Sequence, residues 1–383
     1  MWLRRSRYLA VLAIACGAWV DPASAQDRVP ADAIDLSATL SMDRLVAQLA
    51  TKRVVFVGET HDRYDHHLNQ LDIIRRLHQI DRNMTIGVEY FQQPFQPQVD
   101  DYIAGRTAEH EFLRATEYYR GWGWDYRLYA PILRFAREQR IPVRALNVPS
   151  TLASEVAKVG IAAVSGQQRA YLPKEIVPAG EAYRNRLREA FESHGTAKPG
   201  AFDHFVEAQL VWDEGMAESA AAYLNVDRGR RMVILAGSGH VAFVDGIPQR
   251  LERRTNATYA IVRSSGNDIE PHMDGYLLLS DKQDLPAAGI LGVSLEEKDG
   301  ECRIRSLSPG GAGEKAGLHL GDVLAEIEDQ TIKRIADMRL ALWDKKPGDR
   351  VRVGVRRKHR FGGVRVRGFM IELGASGNPT GRS

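Results

Sequence analysis

The stretch Val54-Val55-Phe56-Val57-Gly58-Glu59-Thr60-His61 places an acid and an imidazole two positions apart where an apolar run ends. Four consecutive β-branched and aromatic residues form the pattern of a strand buried on both faces. Gly58 lets the backbone turn, and Glu59 and His61 then project from the same side of an extended segment. In open α/β sheets, ligands sit outside the carboxyl ends of the strands. A Glu and a His at that place can bind a metal, move protons or hold a cofactor. The bland alternative is a hydrogen-bonded pair that only pins the turn.

Working outward, strand-like and helix-like segments alternate from Arg53 to about Ser280. Strands are predicted at Val54–Val57, Thr85–Glu89, Val143–Asn147, Met232–Ala236, Tyr259–Arg263 and Tyr276–Leu279. Helical periodicity covers Asp65–Gln79, Leu128–Gln139, Glu181–Ser193 and Phe202–Leu224. This alternation predicts an α/β fold, a mostly parallel sheet flanked by helices. Polar residues recur where the strands end: Glu59 and His61, then Glu89, then Asn147, then His240 after two glycines. Four such positions on separate strands converge on one rim of the sheet; capping of the following helices is the alternative for Glu89 and Asn147.

Gln209, Trp212, Asp213, Met216 and Ala220 fall on one helical face, where two polar residues in an apolar stripe need partners if buried. Residues 90–129 are dense in aromatics. Packing accounts for most of them, but the glycines of Gly121-Trp122-Gly123-Trp124-Asp125-Tyr126 bare two indoles toward a pocket or an interface.

Size and charge set further bounds. A chain of 383 residues carries two or three domains, and a net charge of +3 gives no reason to expect a nucleic-acid partner. Arg4, Arg5 and Arg7, the apolar run Tyr8–Val20 and Ala23-Ser24-Ala25 together read as an export signal over 1–25, too short to span a bilayer comfortably. Leu12-Ala13-Ile14-Ala15-Cys16 is a loose lipobox with Leu12 one position too far upstream. Cleavage after Ala25 is therefore expected, with lipidation of Cys16 as the alternative. Cys302 is the only other cysteine, so a chain cut after Ala25 has no intramolecular disulfide. The expected location is the periplasm or outer membrane of a Gram-negative envelope.

From Leu285 the character changes. The expected division is a linker at 26–34, an α/β domain at 35–282, a second domain at 286–373 and a disordered tail at 374–383. In the second domain, a helix is read at Ile335–Trp343 and two alternating strands at Val351–Arg356 and Val364–Ile371. Segment 286–373 resembles a PDZ domain. Ile290-Leu291-Gly292-Val293 matches its carboxylate-binding loop, and Ala316-Gly317-Leu318-His319-Leu320-Gly321-Asp322-Val323-Leu324 its hallmark turn and strand. The resemblance implies capture of a C-terminal peptide as an added strand, between the strand at Ile290–Val293 and the helix around Met338 and Leu342. No Gly-Asn-Ser-Gly-Gly motif precedes it, so a trypsin-like protease is not implied.

Segment 35–280 resembles the ChaN-like haem-binding uptake family of the Tiki superfamily. The matching pieces are Val57-Gly58-Glu59-Thr60-His61-Asp62 with His66 and His67, Gly87-Val88-Glu89-Tyr90, the Trp122/Trp124/Tyr126 cluster, the run Ala208–Ala217, and Ala236-Gly237-Ser238-Gly239-His240. The resemblance implies haem binding in iron uptake, a homodimer sandwiching two haems, and a site drawn from these residues with Gln209, Trp212, Asp213 and Met216. Haem needs an apolar slot, an axial nitrogen or phenolate, and basic groups for its propionates. His61, His66, His67, His240 and the tyrosines of 118–129 are the candidate ligands.

The superfamily also contains metal-dependent hydrolases and peptidases. On that alternative, His61 and His240 hold a divalent metal such as zinc, and Glu59 takes a proton from its water. The basic hairpin Arg350–Arg367 is read as a charged edge protected against aggregation, with peripheral contact to an anionic membrane as the alternative.

Overall fold

The apolar run at 54–57 becomes the middle of a parallel sheet. The computed structural model describes residues 38–192, 200–264, 275–358 and 363–376. The segments read as export signal, linker and most of the tail lie outside these residues. Six strands, β1 (Val54–Glu59), β2 (Met84–Gln92), β3 (Val143–Asn147), β4 (Arg231–Gly237), β5 (Tyr259–Ser264) and β6 (Tyr276–Leu278), pair in the order β3-β2-β4-β1-β5-β6. Every pairing is parallel.

Alternation along β1 explains its unbroken apolar sequence. Val55 and Val57 enter a core with Leu71, Ile74 and Leu77 of the helix Tyr64–Ile80. Val54 and Phe56 point the other way, onto Ala217, Ala220 and Leu224 of the helix Ala201–Leu224. Successive side chains face opposite sides of a strand, so a strand covered on both faces has no polar position to spare.

Gly58 has a different role from the one the sequence suggested. It lies within β1, paired with Ala236 and Arg263, and is not a turn. A Cβ there would stand 2.9 Å from Val241 Cγ2 and 3.0 Å from Ser238 Oγ. The missing side chain lets the short helix Ser238–Val241 close over the end of β1.

The second region is built from β7 (Gly289–Ile290), β8 (Val293–Lys298), β9 (Glu301–Leu307), β10 (Val323–Ile327), β11 (Gln330–Thr331), β12 (Arg350–Lys358), β13 (Val364–Glu372) and β14 (Gly374–Ala375). Its antiparallel sheet runs β13-β12-β10-β9-β8, with β11 on β10 and β14 on β7. Gly374 and Ala375, read as disordered tail, therefore belong to a strand pair. Cys302 is a buried free thiol in this core. Much of the basic hairpin is internally paired: Arg352 with Asp329, Arg356 with Glu301, and Arg357 with the buried Asp322. Among the described residues, no helix is long and apolar enough to cross a membrane.

From Ser41 onward the two sheets belong to one compact unit. The helix Ile335–Leu342 joins them. Leu340 and the following Trp343 are buried in the same hydrophobic cluster as Tyr118 and Tyr126 of the α/β domain. Trp343 meets Tyr126 edge-on at 5.2 Å, and Arg134 lies over its ring at 5.8 Å. Arg339 Nη1 donates to the Gly123 carbonyl at 2.5 Å, and Arg127 Nη1 to the Pro286 carbonyl at 2.7 Å. Truncating a buried aromatic removes about 3–5 kcal/mol. Trp343→Ala is therefore expected to split denaturant unfolding into two transitions, seen as fluorescence and far-UV circular dichroism curves that no longer coincide.

Candidate functional site

The carboxyl ends of the four adjacent strands β3, β2, β4 and β1 deliver a connected set of polar side chains. Glu59 closes β1 and is only 3% exposed. Its Oε1 is 2.7 Å from His61 Nδ1 and its Oε2 is 2.8 Å from His67 Nε2. His67 also contacts the His61 carbonyl at 3.1 Å, and its Nδ1 meets Gln70 Oε1 at 3.1 Å. Gln70 in turn donates to the Val57 carbonyl at 3.0 Å. The first turns of the helix after β1 thus fold back and lock the end of that strand.

A second pair stands across the rim. His240, in the short helix after β4, places Nδ1 2.6 Å from Asp213 Oδ1, and Tyr183 donates to Asp213 Oδ2 at 2.7 Å. Between the pairs lies Glu89 of β2. Its Oε2 accepts from the Gly237 amide at 2.7 Å, and its Oε1 is 3.5 Å from His240 Nε2. Gly237 is required by the packing, because a Cβ there would stand 2.9 Å from His61 Cε1.

The electrostatics follow from this pairing. Burial alone would push the Glu59 carboxyl up, but the positive charges of His67 and then His61 outweigh it and hold it far below the ordinary carboxylate range. Burial works against protonation of His61, and Glu59 reverses this by charge and hydrogen bond, with Glu89 adding to the upward shift. In His240, burial is likewise overcome by the charges of Glu89 and Asp213, which push the ring up to about 9. Opposed charges held apart from water in one cleft are a common sign of a functional site.

His61, Glu89, Trp122, Trp124, Trp212 and His240 line a cavity of about 210 Å³. Trp122 meets the His61 ring edge-on at 4.8 Å, Trp124 approaches it at 5.4 Å, and Trp212 meets His240 at 6.2 Å. Glu59, His67 and Asp213 stand behind the two lining imidazoles. The other sequence candidates lie elsewhere. His66 is buried with Nδ1 accepting from the Thr60 amide, so it shapes the strand end. Tyr126 is buried against Trp343 and donates to Glu109. Met216 packs under the sheet, and Gln209 does not line the cavity. The helix Ala201–Leu224 crosses the sheet, so only the turn with Trp212 and Asp213 reaches the rim.

Several lining residues gave little sequence signal. Tyr90 follows Glu89 inside β2, and Gln92 and Ser150 hydrogen-bond to each other across the cavity wall. Tyr183, which backs Asp213, sits in a helix with no motif. Asn147 does not cap a helix; it lines the cavity, and the helix Ser150–Val159 starts after Pro149. Ile290, Leu291, Gly292, Val293, Met338 and Leu342 line a separate groove of about 380 Å³.

The stability contribution of His240 has a definite pH window. It is complete below the ring's ordinary value of 6.5 and is lost as pH rises through about 9. Glu59 acts in the opposite sense: its contribution is complete above 4.5 and falls away on acidification. Melting temperature is therefore expected to decline between pH 7 and pH 10, and His240→Asn to flatten that decline. An unchanged slope in the variant would show that the ion pair does not stabilise the fold.

Comparisons with known proteins match this architecture. The family model described as haem-binding uptake, Tiki superfamily, ChaN, matches residues 45–251, and a PDZ domain model matches residues 289–367. Among solved structures, ChaN of Campylobacter jejuni, described with cofacial haem binding, superposes with TM-score 0.51 at 17% identity, over 62% of this chain and 91% of that one. An erythromycin esterase in its open conformation matches with TM-score 0.36 at 14% identity, over 58% and 71%. The PDZ domain of a carboxy-terminal protease from Vibrio cholerae, bound to a peptide, matches with TM-score 0.19 at 20% identity, over 23% and 96%. No curated protein gives a significant match. A parallel sheet with a family match over more than half the chain, and a second antiparallel sheet with its own match, identify the chain as a member of the ChaN family of haem-binding uptake proteins in the Tiki superfamily, carrying a PDZ domain after the α/β domain.

Proposed function

We propose that the protein is exported to the envelope of a Gram-negative cell and binds haem there for haem or iron uptake, with its PDZ domain holding a partner's C-terminal peptide. The observation that carries the haem reading is the cavity of His61 and His240, walled by three indoles and holding unsatisfied polar atoms. Tyr90 Oη and Asn147 Oδ1 line it, are buried, and have no hydrogen-bond partner among the described residues. Buried polar atoms without partners fit a site built to receive a ligand.

The residues present fit haem in a particular way. A cavity of about 210 Å³ is smaller than the roughly 300–1,000 Å³ that encloses a drug-sized ligand. Trp122, Trp124 and Trp212 would supply apolar contacts to the haem ring. Cofacial haem binding is what is described for the Campylobacter jejuni protein. When bound, haem supplies an iron centre that takes an axial protein ligand. His61 and His240 supply the suitable nitrogens. Phenolates of Tyr118, Tyr126 and Tyr129 are disfavoured, because burial raises all three well above the ordinary value. No Arg or Lys lines this cavity among the described residues, so propionates must look beyond it.

A ligating imidazole must give up its proton. Carboxylates push the His240 ring up to about 9 and shift His61 upward as well, so haemin affinity is expected to rise as pH rises through about 9. His61→Ala and His240→Ala should identify the ligand by a lost or shifted Soret band. Gly237→Ala, which displaces the His61 ring without touching its chemistry, should weaken binding by about tenfold while the protein stays folded. Haemin binding that is independent of pH and of all three substitutions would defeat the reading.

A second reading rests on the two histidine–carboxylate pairs, Glu59–His61 and Asp213–His240, facing Glu89. Such pairs can exchange protons with a bound ester or amide as general acids and bases. Among the described residues, no group of three or more His, Cys, Asp or Glu is placed to hold a metal ion. Each lining imidazole has its Nδ1 on a carboxylate and Nε2 left to offer, and His67 faces the interior. Turnover of activated esters that is abolished by Glu89→Gln and indifferent to chelators would favour this reading.

A further inference from the structure

The groove that holds the PDZ recognition loop has two walls from different domains. One wall is the PDZ loop Ile290–Val293 with Met338 and Leu342. The other is Tyr119, Trp124 and Leu128 of the α/β domain. Trp124 also lines the His61/His240 cavity and is the residue that the two linings share.

The recognition elements are in place. Gly292 has φ of +67°, and among the described residues the amides of Leu291 and Gly292 donate to no acceptor. Amides of that kind in a tight turn form a cup for a carboxylate. Arg127 and Arg339 line the same groove, together with Asp62 and Asp125, and Asp125 pairs with Arg127. β8 ends its sheet and so offers an open edge for an added strand. The far end is strapped, because the Ile335 amide donates to Glu297 Oε1 at 2.6 Å. At a rise of about 3.3 Å per residue, the open part of β8 accommodates roughly the last four residues of a peptide.

The shared wall is mechanically tied to both sites. Gly123, beside Trp124, is held by Arg339 of the PDZ helix. Asp125, on the other side, pairs with Arg127, which reaches the Pro286 carbonyl just before the recognition loop. Trp124 lies against His61 on its opposite side.

Resting on the peptide-binding reading above, we propose that the groove is a two-domain site. It takes the free carboxyl terminus of a polypeptide ending in an apolar residue, and that last residue packs on Tyr119 and Trp124. The occupant then bears on the wall of the His61/His240 cavity, so peptide and cavity ligand alter each other's affinity by the same factor.

The test uses the full chain and fluorescein-labelled decapeptides ending in Ala, Val, Leu or Phe, each as carboxylate and as amide. Anisotropy gives peptide affinity, and Soret titration with haemin gives cavity affinity. At least one carboxylate peptide is expected to bind, and its amide to bind at least tenfold more weakly. Tyr119→Ala and Trp124→Ala, checked for wild-type melting, should each weaken it at least fivefold. Leu342→Ser, on the PDZ wall alone, checks that the groove is in use. Saturating peptide should change haemin affinity at least threefold, and Trp124→Ala should remove that change.

Peptide affinity that falls in Leu342→Ser but is untouched by both α/β-domain substitutions overturns the two-domain site. Equal haemin affinity with and without peptide overturns the linkage. No binding of any peptide, with haemin still bound, removes the peptide reading and this inference with it. Loss of peptide affinity in the variants without any haemin binding keeps the two-domain site and sinks only the haem reading.

Discussion

The arrangement depends on one buried carboxylate flanked by two imidazoles. Glu59 ends the central strand β1 with almost no contact with water, and each of its oxygens faces an imidazole. An isolated buried carboxylate is strongly unfavourable, and removing one partner of a buried pair leaves an uncompensated charge that costs about 3–5 kcal/mol. Glu59 is therefore held in one place, and it fixes His61 at the cavity and His67 behind it. The helix that carries His67 is drawn back over the strand end by the same contact. A stable interior charge thereby becomes a rigid mounting for a ring that faces the cavity.

The opposite side of the rim repeats the device with other elements. Asp213 comes from the middle of a long helix and is satisfied by His240 and Tyr183. The next residue, Glu214, is fully buried and turned away toward Arg250, Arg253 and Arg254. Adjacent acids on one helix thus serve two purposes, one in the site and one in fastening that helix to its neighbour. Glu89 stands between the two imidazoles with its carboxylate anchored by the Gly237 amide. The glycines at 58 and 237 matter because neighbouring groups fill the space of their missing side chains. Gly58 makes room for the segment that brings His240 to the rim, and Gly237 makes room for the His61 ring.

The second domain is joined through its peptide-side helix. Trp343 and Leu340 complete an aromatic cluster begun by Tyr118 and Tyr126. This explains why the aromatic stretch 90–129 exceeds what the cavity alone needs. Part of it packs the α/β core, part receives the PDZ helix, and only Trp122 and Trp124 with Tyr90 reach the cavity. Trp124 has contacts in both directions, which places the PDZ groove and the cavity within one mechanical neighbourhood.

Much of the fold was legible because its signals are local. Continuous apolar runs marked all six parallel strands, and 3.6-residue periodicity marked the long helices to within a few residues. Strand-end polar residues pointed to the right rim, since a parallel sheet brings those ends together whatever the loops do. What stayed hidden was the direction of individual side chains. Sequence spacing put Gln209, Met216 and Asp213 on one helical face, but the crossing angle of that helix decides which turn meets the rim. Tyr126 shares a motif with Trp122 and Trp124, yet the turn between them sends it into the interdomain core. Tyr183 and Ser150 belong to no pattern, and their places follow from loops whose paths depend on everything around them. The chain by itself determined a buried parallel sheet and a polar rim, because burial and periodicity act over a few residues, while the PDZ module was read from the resemblance of its loop and turn motifs to a known family. Only the tertiary structure decided which imidazoles face the cavity and which indole the two linings share, because those outcomes depend on packing between segments a hundred or more residues apart.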